Sequence, residues 1–135
     1  MPLPYLPVVA VALIGPDDRV LLQQRPPGRS LAGLWEFPGG KIEASETPEH
    51  ALIREVQEEL GIKIDVADLQ PAGFASEPLG ERHLVLLLYA ARRWRGEAQA
   101  LEASAIRWTR IDEMRTLPMP PADVPLIDAL SRLLA

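Results

Sequence analysis

The chain has no cysteine in its 135 residues. That excludes a disulfide scaffold and a thiolate metal site. Histidine is nearly absent too. His50 and His83 have no partner at catalytic or ligand spacing, so both read as structural or solvated. Aromatic residues make up 5%, which leaves Leu, Val, Ile and Ala to build the core. Long apolar runs are missing. The longest, Val8 to Ile14 (VVAVALI) and Leu84 to Ala91 (LVLLLYAA), fall far short of the roughly 20 residues a membrane helix needs. The opening MPLPYLP has no Lys or Arg and three prolines, a poor signal peptide. The expected location is cytoplasmic, with no membrane partner. Positive charge is also in deficit, with 14 Lys and Arg against 19 Asp and Glu and a net charge of −5. This argues against a nucleic-acid polymer as partner, which would want a basic face. A small phosphorylated substrate stays open, because a bound metal can supply the missing positive charge.

The length suits one domain over residues 1–135. Val8 to Ile14 reads as a buried strand, GPDD at Gly15 to Asp18 as a turn, and Arg19 to Arg25 as the returning strand of a hairpin. Leu34 to Pro38 reads as a short strand. Thr47 looks like an N-cap with Pro48 at the first helical position, so a helix is expected from Pro48 to Leu60 with Gly61 as its left-handed stop. Ile62 to Val66 reads as a strand or its edge, Leu84 to Trp94 as a central strand, and Ala105 to Ile111 as another. A helical turn is expected in Asp112 to Leu117, and a final helix from Asp123 to about Leu134. Strands and two helices interleave without a regular βαβ repeat. The expected class is therefore α/β, a mixed sheet covered by helices on both sides. Trp35, Trp94 and Trp108 read as core or rim, with stacking on a ligand open for Trp35.

The Pro48–Leu60 helix carries an electrostatic oddity. At 100° per residue, Leu52, Ile53, Val56 and Leu60 form one apolar face. Glu55, Glu58 and Glu59 share the neighbouring arc, close to the helix C-terminus. Carboxylates there oppose both the dipole and one another, at a cost of about 1–3 kcal/mol. Arg54 offsets only part of that. One reading is a solvated acidic face. The other is a site for a hard divalent cation such as Mg²⁺, which takes oxygen ligands and keeps several waters. The wider spacing favours the second. Gly40, Glu46, Arg54, Glu55, Val56, Glu58, Glu59, Gly61 and Ile62 fit G-x5-E-x7-R-E-U-x-E-E-x-G-U at every fixed position, with U aliphatic. Average residue frequencies give that match a chance of roughly 10⁻⁸ to 10⁻⁷ in a chain of this size.

This segment resembles the signature box of the Nudix hydrolases, which cleave nucleoside diphosphates linked to another group. The resemblance implies the Nudix fold, an α/β/α sandwich around a mixed β-sheet, with Mg²⁺ as cofactor and Mn²⁺ as a substitute. It implies metal binding by Glu55, Glu58, Glu59 and the Gly39 carbonyl, with Glu46 and Arg54 paired to brace the box. LWEFPGGKIEASETPEHALIREVQEELGI, RHLVLLLY, RRWRGE and PPADVP resemble the MutT branch. That branch converts nucleoside triphosphates to monophosphate and pyrophosphate. By this likeness Glu55 is the general base. Glu102 matches a further metal-binding glutamate, or else is a solvated loop charge.

Three residues bear on the base. Phe37 matches an aromatic that contacts the base, or is core. Arg25 ends a strand, either reaching the substrate or simply solvated. Asp123 stands where the MutT branch has an asparagine that reads oxidised guanine, or it caps the last helix. An ionised aspartate only accepts hydrogen bonds, and PPADVP also resembles the CTP pyrophosphohydrolases. The expected function is thus hydrolysis of a small-molecule nucleoside triphosphate, with oxidised dGTP (8-oxo-dGTP) leading, to clean the nucleotide pool. CTP and modified pyrimidine triphosphates follow. ADP-ribose or a dinucleoside polyphosphate ranks lower, supported only by Pro78, sixteen residues beyond Ile62. A non-enzymatic nucleotide-sensing module ranks last, because every glutamate of the box is present. Both monomer and homodimer fit the sequence.

Overall fold

The computed structural model describes residues 2–135. Strand β1 (Tyr5–Leu13) is the centre of the fold. It pairs in parallel with β6 (Arg82–Ala91), from Tyr5 opposite His83 to Leu13 opposite Ala91. On its other side it pairs antiparallel with the short β4 (Gly39–Lys41). Strand β5 (Gln70–Leu79) lies antiparallel to β6 and closes a mixed sheet of order β4-β1-β6-β5. A second, antiparallel sheet has the order β3-β2-β7, with β3 (Trp35–Glu36), β2 (Val20–Gln24) and β7 (Ala105–Thr109).

Both faces of β1 are buried, which is why it reads as a continuous apolar run. Val9, Val11 and Leu13 point to one side, where they meet Leu52, Val56 and Leu60 of helix α1 (Pro48–Leu60). Ala10, Ala12 and Ile14 point to the other. There they join Met114 of the short α2 (Ile111–Met114) and Leu126, Ile127 and Leu130 of α3 (Val124–Leu134). The two apolar clusters make the α/β/α sandwich. Helix α1 has the expected ends. Thr47 Oγ1 accepts a hydrogen bond from the His50 N–H at 3.2 Å, and Gly61 stops the helix at φ 71°.

Three expectations differ. The first two strands form no hairpin, because β1 and β2 belong to different sheets and meet only at an isolated Ile14–Val20 bridge. Ile62 to Val66 is not a strand. Ile62 and Ile64 are buried under α1, and the segment makes a single bridge between Lys63 and Arg95. Conversely, β5 has no apolar alternation and contains Pro71 and Pro78. Proline is tolerated there because β5 is an edge strand, with Pro71 beside a register shift.

Candidate active site

Helix α1 and strand β2 face one another across a cleft of about 560 Å³. Gly39, Gly40, Glu55 and Glu59 line it, as do Arg25, Glu36, Phe37 and Asp123. Glu102 reaches the same cleft from the exposed loop before β7.

The glycines allow the box to close. A Cβ on Gly40 would lie 2.4–2.6 Å from the Glu55 carboxylate, and one on Gly39 would lie 2.0 Å from the Val9 carbonyl oxygen. Only a bare backbone lets β4 pair with β1 while Glu55 rests against it. Arg54 then fixes the entry loop. Its Nε and Nη2 donate to the two carboxylate oxygens of Glu46 at 2.7 and 2.8 Å, and Nη2 also donates to the Lys41 carbonyl at 3.3 Å. This bidentate pair is the expected brace. The Arg54 hydrogen bonds hold the Glu46 carboxyl down at about 2. The guanidinium, held first by Glu46 and also by Glu55, is shifted upward. Arg54 Nη1 donates to Glu55 at 3.0 Å.

Glu59 is the unusual carboxylate. It is 6% exposed, on the side of α1 that faces the sheets. Burial, with the neighbouring Glu55 charge adding to it, pushes its carboxyl up to about 9, although a bond from Gln23 opposes the shift. One oxygen, Oε1, accepts from the Gln23 amide; the other, Oε2, is buried with no partner. An orphaned buried acceptor calls for an explanation. A hard cation supplies one, since it would let the group ionise and would satisfy the free oxygen. The oxygen-only donor set of Glu55, Glu59 and the Gly39 carbonyl suits Mg²⁺ or Mn²⁺. The expected set is not fully gathered. Among the described residues, no group of three or more His, Asp or Glu side chains is arranged to hold a metal. Glu58 is 52% exposed and turns toward Arg54, with Nη1 to Oε2 at 3.6 Å.

The same cleft is lined by the remaining candidates Arg25, Phe37 and Asp123. Phe37 is buried in the core and its edge forms part of the cleft wall. Arg25 is not simply solvated. Its Nε donates to Glu36 at 3.0 Å and its Nη1 to the Ser30 carbonyl at 3.0 Å. Asp123 stands at the N-cap position of α3, but its side chain does not cap the helix. It makes no capping bond, and its Oδ2 accepts from the Phe37 N–H at 3.1 Å. It is 7% exposed, and burial is the main cause that pushes its carboxyl up to about 7. A carboxyl raised in this way can be protonated near neutrality, and the protonated form donates as well as accepts. Trp35 does not line the cleft; the Arg107 guanidinium lies over its ring at 5.5 Å. His83 bonds Ser76 Oγ at 2.6 Å and meets the Tyr5 ring edge-on, a structural setting.

Sequence reasoning missed Gln23 and Glu36. The one signal for Gln23 was a polar residue at a β2 position where alternation with Leu21 calls for an apolar one.

The NUDIX domain family model matches residues 4–130. A CTP pyrophosphohydrolase of Escherichia coli (strain K12) is 40% identical over 127 residues, covering 94% of this chain and 93% of the relative. An 8-oxo-dGTP diphosphatase of the same organism is 35% identical over 126 residues, covering 93% and 96%. Among solved structures, the solution structure of the E. coli ORF135 protein superposes with a TM-score of 0.88 at 35% identity, covering 98% of this chain and 93% of that one. A MutT NUDIX hydrolase from Burkholderia pseudomallei gives 0.82 at 27% identity, covering 93% and 97%. With the box complete in sequence and its glycines and brace in place in the fold, the chain belongs to the Nudix family of hydrolases, enzymes that split phosphoric anhydride bonds.

Proposed function

We propose that this protein is a Mg²⁺-dependent nucleoside triphosphate pyrophosphohydrolase that yields monophosphate and pyrophosphate. Its leading substrate is an oxidised guanine nucleotide, 8-oxo-dGTP. The observation that carries the reading is the buried, half-partnered Glu59 beside Glu55 in a cleft that Asp123 also lines. The polyphosphate lies at the glutamates and the base at Asp123.

Glu55, Glu59 and the Gly39 carbonyl would hold the metal, with Glu58 and Glu102 joining by side-chain rotation. Bound there, Mg²⁺ supplies charge neutralisation and a water of lowered pKa. The chain's own residues do the rest. Glu55, steadied by Arg54, takes the proton of the attacking water. Glu46 and Arg54 keep the loop that carries Gly39 and Gly40 against the helix. Protonated Asp123 both donates and accepts, as the asparagine of the MutT branch does, which favours the edge of oxidised guanine. Phe37 and the Arg25–Glu36 pair line the same cleft. The protein acts as a cytoplasmic guardian of the nucleotide pool.

A second reading is favoured by the 40% identity to a protein named CTP pyrophosphohydrolase. In it, ionised Asp123 accepts from the amino group of cytosine. ³¹P NMR of 8-oxo-dGTP, dGTP, CTP and ADP-ribose, each with and without Mg²⁺, tests both. The expected outcome is metal-dependent release of pyrophosphate, fastest from 8-oxo-dGTP. Faster turnover of CTP would favour the second reading, and release of orthophosphate from a triphosphate would contradict both.

A further inference from the structure

Strand β2 sends Val20 and Leu22 to the cluster under α2 and α3, and Leu21 to the cluster under α1. Gln23 follows Leu21 on the α1 side, 4% exposed, where an aliphatic residue would complete the face. Its register partner on β3 is Glu36 and on β7 is Ile106. A buried primary amide is costly unless its groups are paired. Here only half the groups are paired. The amide nitrogen donates to Glu59 Oε1, while Gln23 Oε1 and Glu59 Oε2 both lack partners. A leucine at 23 would extend the apolar face but would strip Glu59 Oε1 of its partner, so the amide is there to serve the carboxyl group opposite it.

The geometry points to Gln23 as a positioning residue for the cation site: its amide fixes one oxygen of Glu59 and leaves the other, buried and unpartnered, free for a divalent metal. Residues that hydrogen-bond a metal ligand in this way fix its orientation, and their loss typically costs about 10–100-fold in affinity. Gln23 Oε1 is a second buried atom without a partner. Both side chains line the cleft. The inference rests on the divalent-cation reading of Glu55 and Glu59.

The test uses Mn²⁺ alone, titrated into the full chain, with free Mn²⁺ read by electron paramagnetic resonance. Wild type is compared with Gln23→Met, Glu59→Gln and the double variant. Circular dichroism checks folding, and Gln23→Asn, too short to reach Glu59, replaces Gln23→Met should that variant misfold. Gln23→Met should weaken Mn²⁺ binding about 10–100-fold. The double variant should bind no more weakly than Glu59→Gln alone, because Gln23 acts through Glu59. A residue that only supported the fold would shift the melting temperature and leave Mn²⁺ affinity unchanged. Wild-type affinity in Gln23→Met, with binding lost in Glu59→Gln, would overturn the role of Gln23 and leave the metal site standing. Independent, additive losses would also overturn it. Wild-type affinity in Glu59→Gln would remove the metal-site reading itself, and this inference with it.

Discussion

Burial turns Glu59 into an acid that keeps its proton to about pH 9 in the metal-free fold. Unfolded, the same carboxyl releases its proton near 4.5. Between those values the unfolded state binds fewer protons than the folded one, so this group makes stability fall as pH rises. Glu59→Gln removes the ionisable group while keeping its shape. In metal-free protein it should therefore raise the melting temperature by several degrees at pH 8 and leave it nearly unchanged at pH 4, as differential scanning calorimetry would read. The same variant should cut Mg²⁺-dependent turnover by orders of magnitude, as should Glu55→Gln. A gain in stability paired with a loss of activity is the mark of a residue kept for function at the expense of the fold. Asp123 gives a second expectation at this scale. Asp123→Asn fixes the donor-and-acceptor form at every pH. The ratio of 8-oxo-dGTP to CTP turnover should fall between pH 6 and 8.5 in wild type and stay flat in the variant; parallel profiles would make Asp123 only a prop for the Phe37 backbone.

Among the elements, the box was the most legible part of the sequence. Local chemistry sets its ends: Thr47 and Pro48 start α1, and Gly61 ends it. The glutamate arc follows from helical geometry alone, as does the apolar face beneath it. What could not be read were the long-range pairings. Nothing near β1 says that its parallel partner lies more than seventy residues away, from His83 to Ala91. The hairpin expected from the turn at Gly15 to Asp18 therefore gave way to two separate sheets. Strand β4 is two glycines and a lysine, too few side chains to show a pattern, and edge strand β5 has prolines that hide one. Within the site, Glu46 and Arg54 were legible as a pair. Gln23 was not, because only packing shows which residue lies opposite Glu59. The closeness of β4 to α1 gives the third prediction. Gly40→Ala would push a methyl group into the Glu55 carboxylate. A displacement of about 1 Å at a reacting group can cost 10²-fold. Steady-state kinetics should show that loss in kcat with a smaller change in KM; an unaltered kcat would mean that Glu55 need not rest on Gly40.

Taken whole, the molecule places its acidic pocket inside an already acidic protein, with a net charge of −5. No helix among the described residues is long and apolar enough to cross a membrane. The net charge does not favour a polyphosphate, and in the proposed reaction a divalent cation offsets that charge at the glutamates. Metal binding and folding are then linked. In the proposed site Mg²⁺ would bind the ionised form of Glu59, and ionisation opposes the metal-free fold increasingly as pH rises above 4.5. Melting curves at saturating Mg²⁺ and in chelator should diverge as pH rises, with the larger metal-induced shift at pH 8 than at pH 5.5. A shift independent of pH would separate the cation from Glu59. The most direct measurement is a crystal structure with Mn²⁺ and a nonhydrolysable 8-oxo-dGTP analogue, located by the anomalous signal of the metal. The expected result is a metal bonded to Glu55 and Glu59 oxygens and to the polyphosphate, at distances of about 2.0–2.3 Å. Metal and phosphates seated elsewhere, with Glu59 Oε2 still unpartnered, would contradict the account.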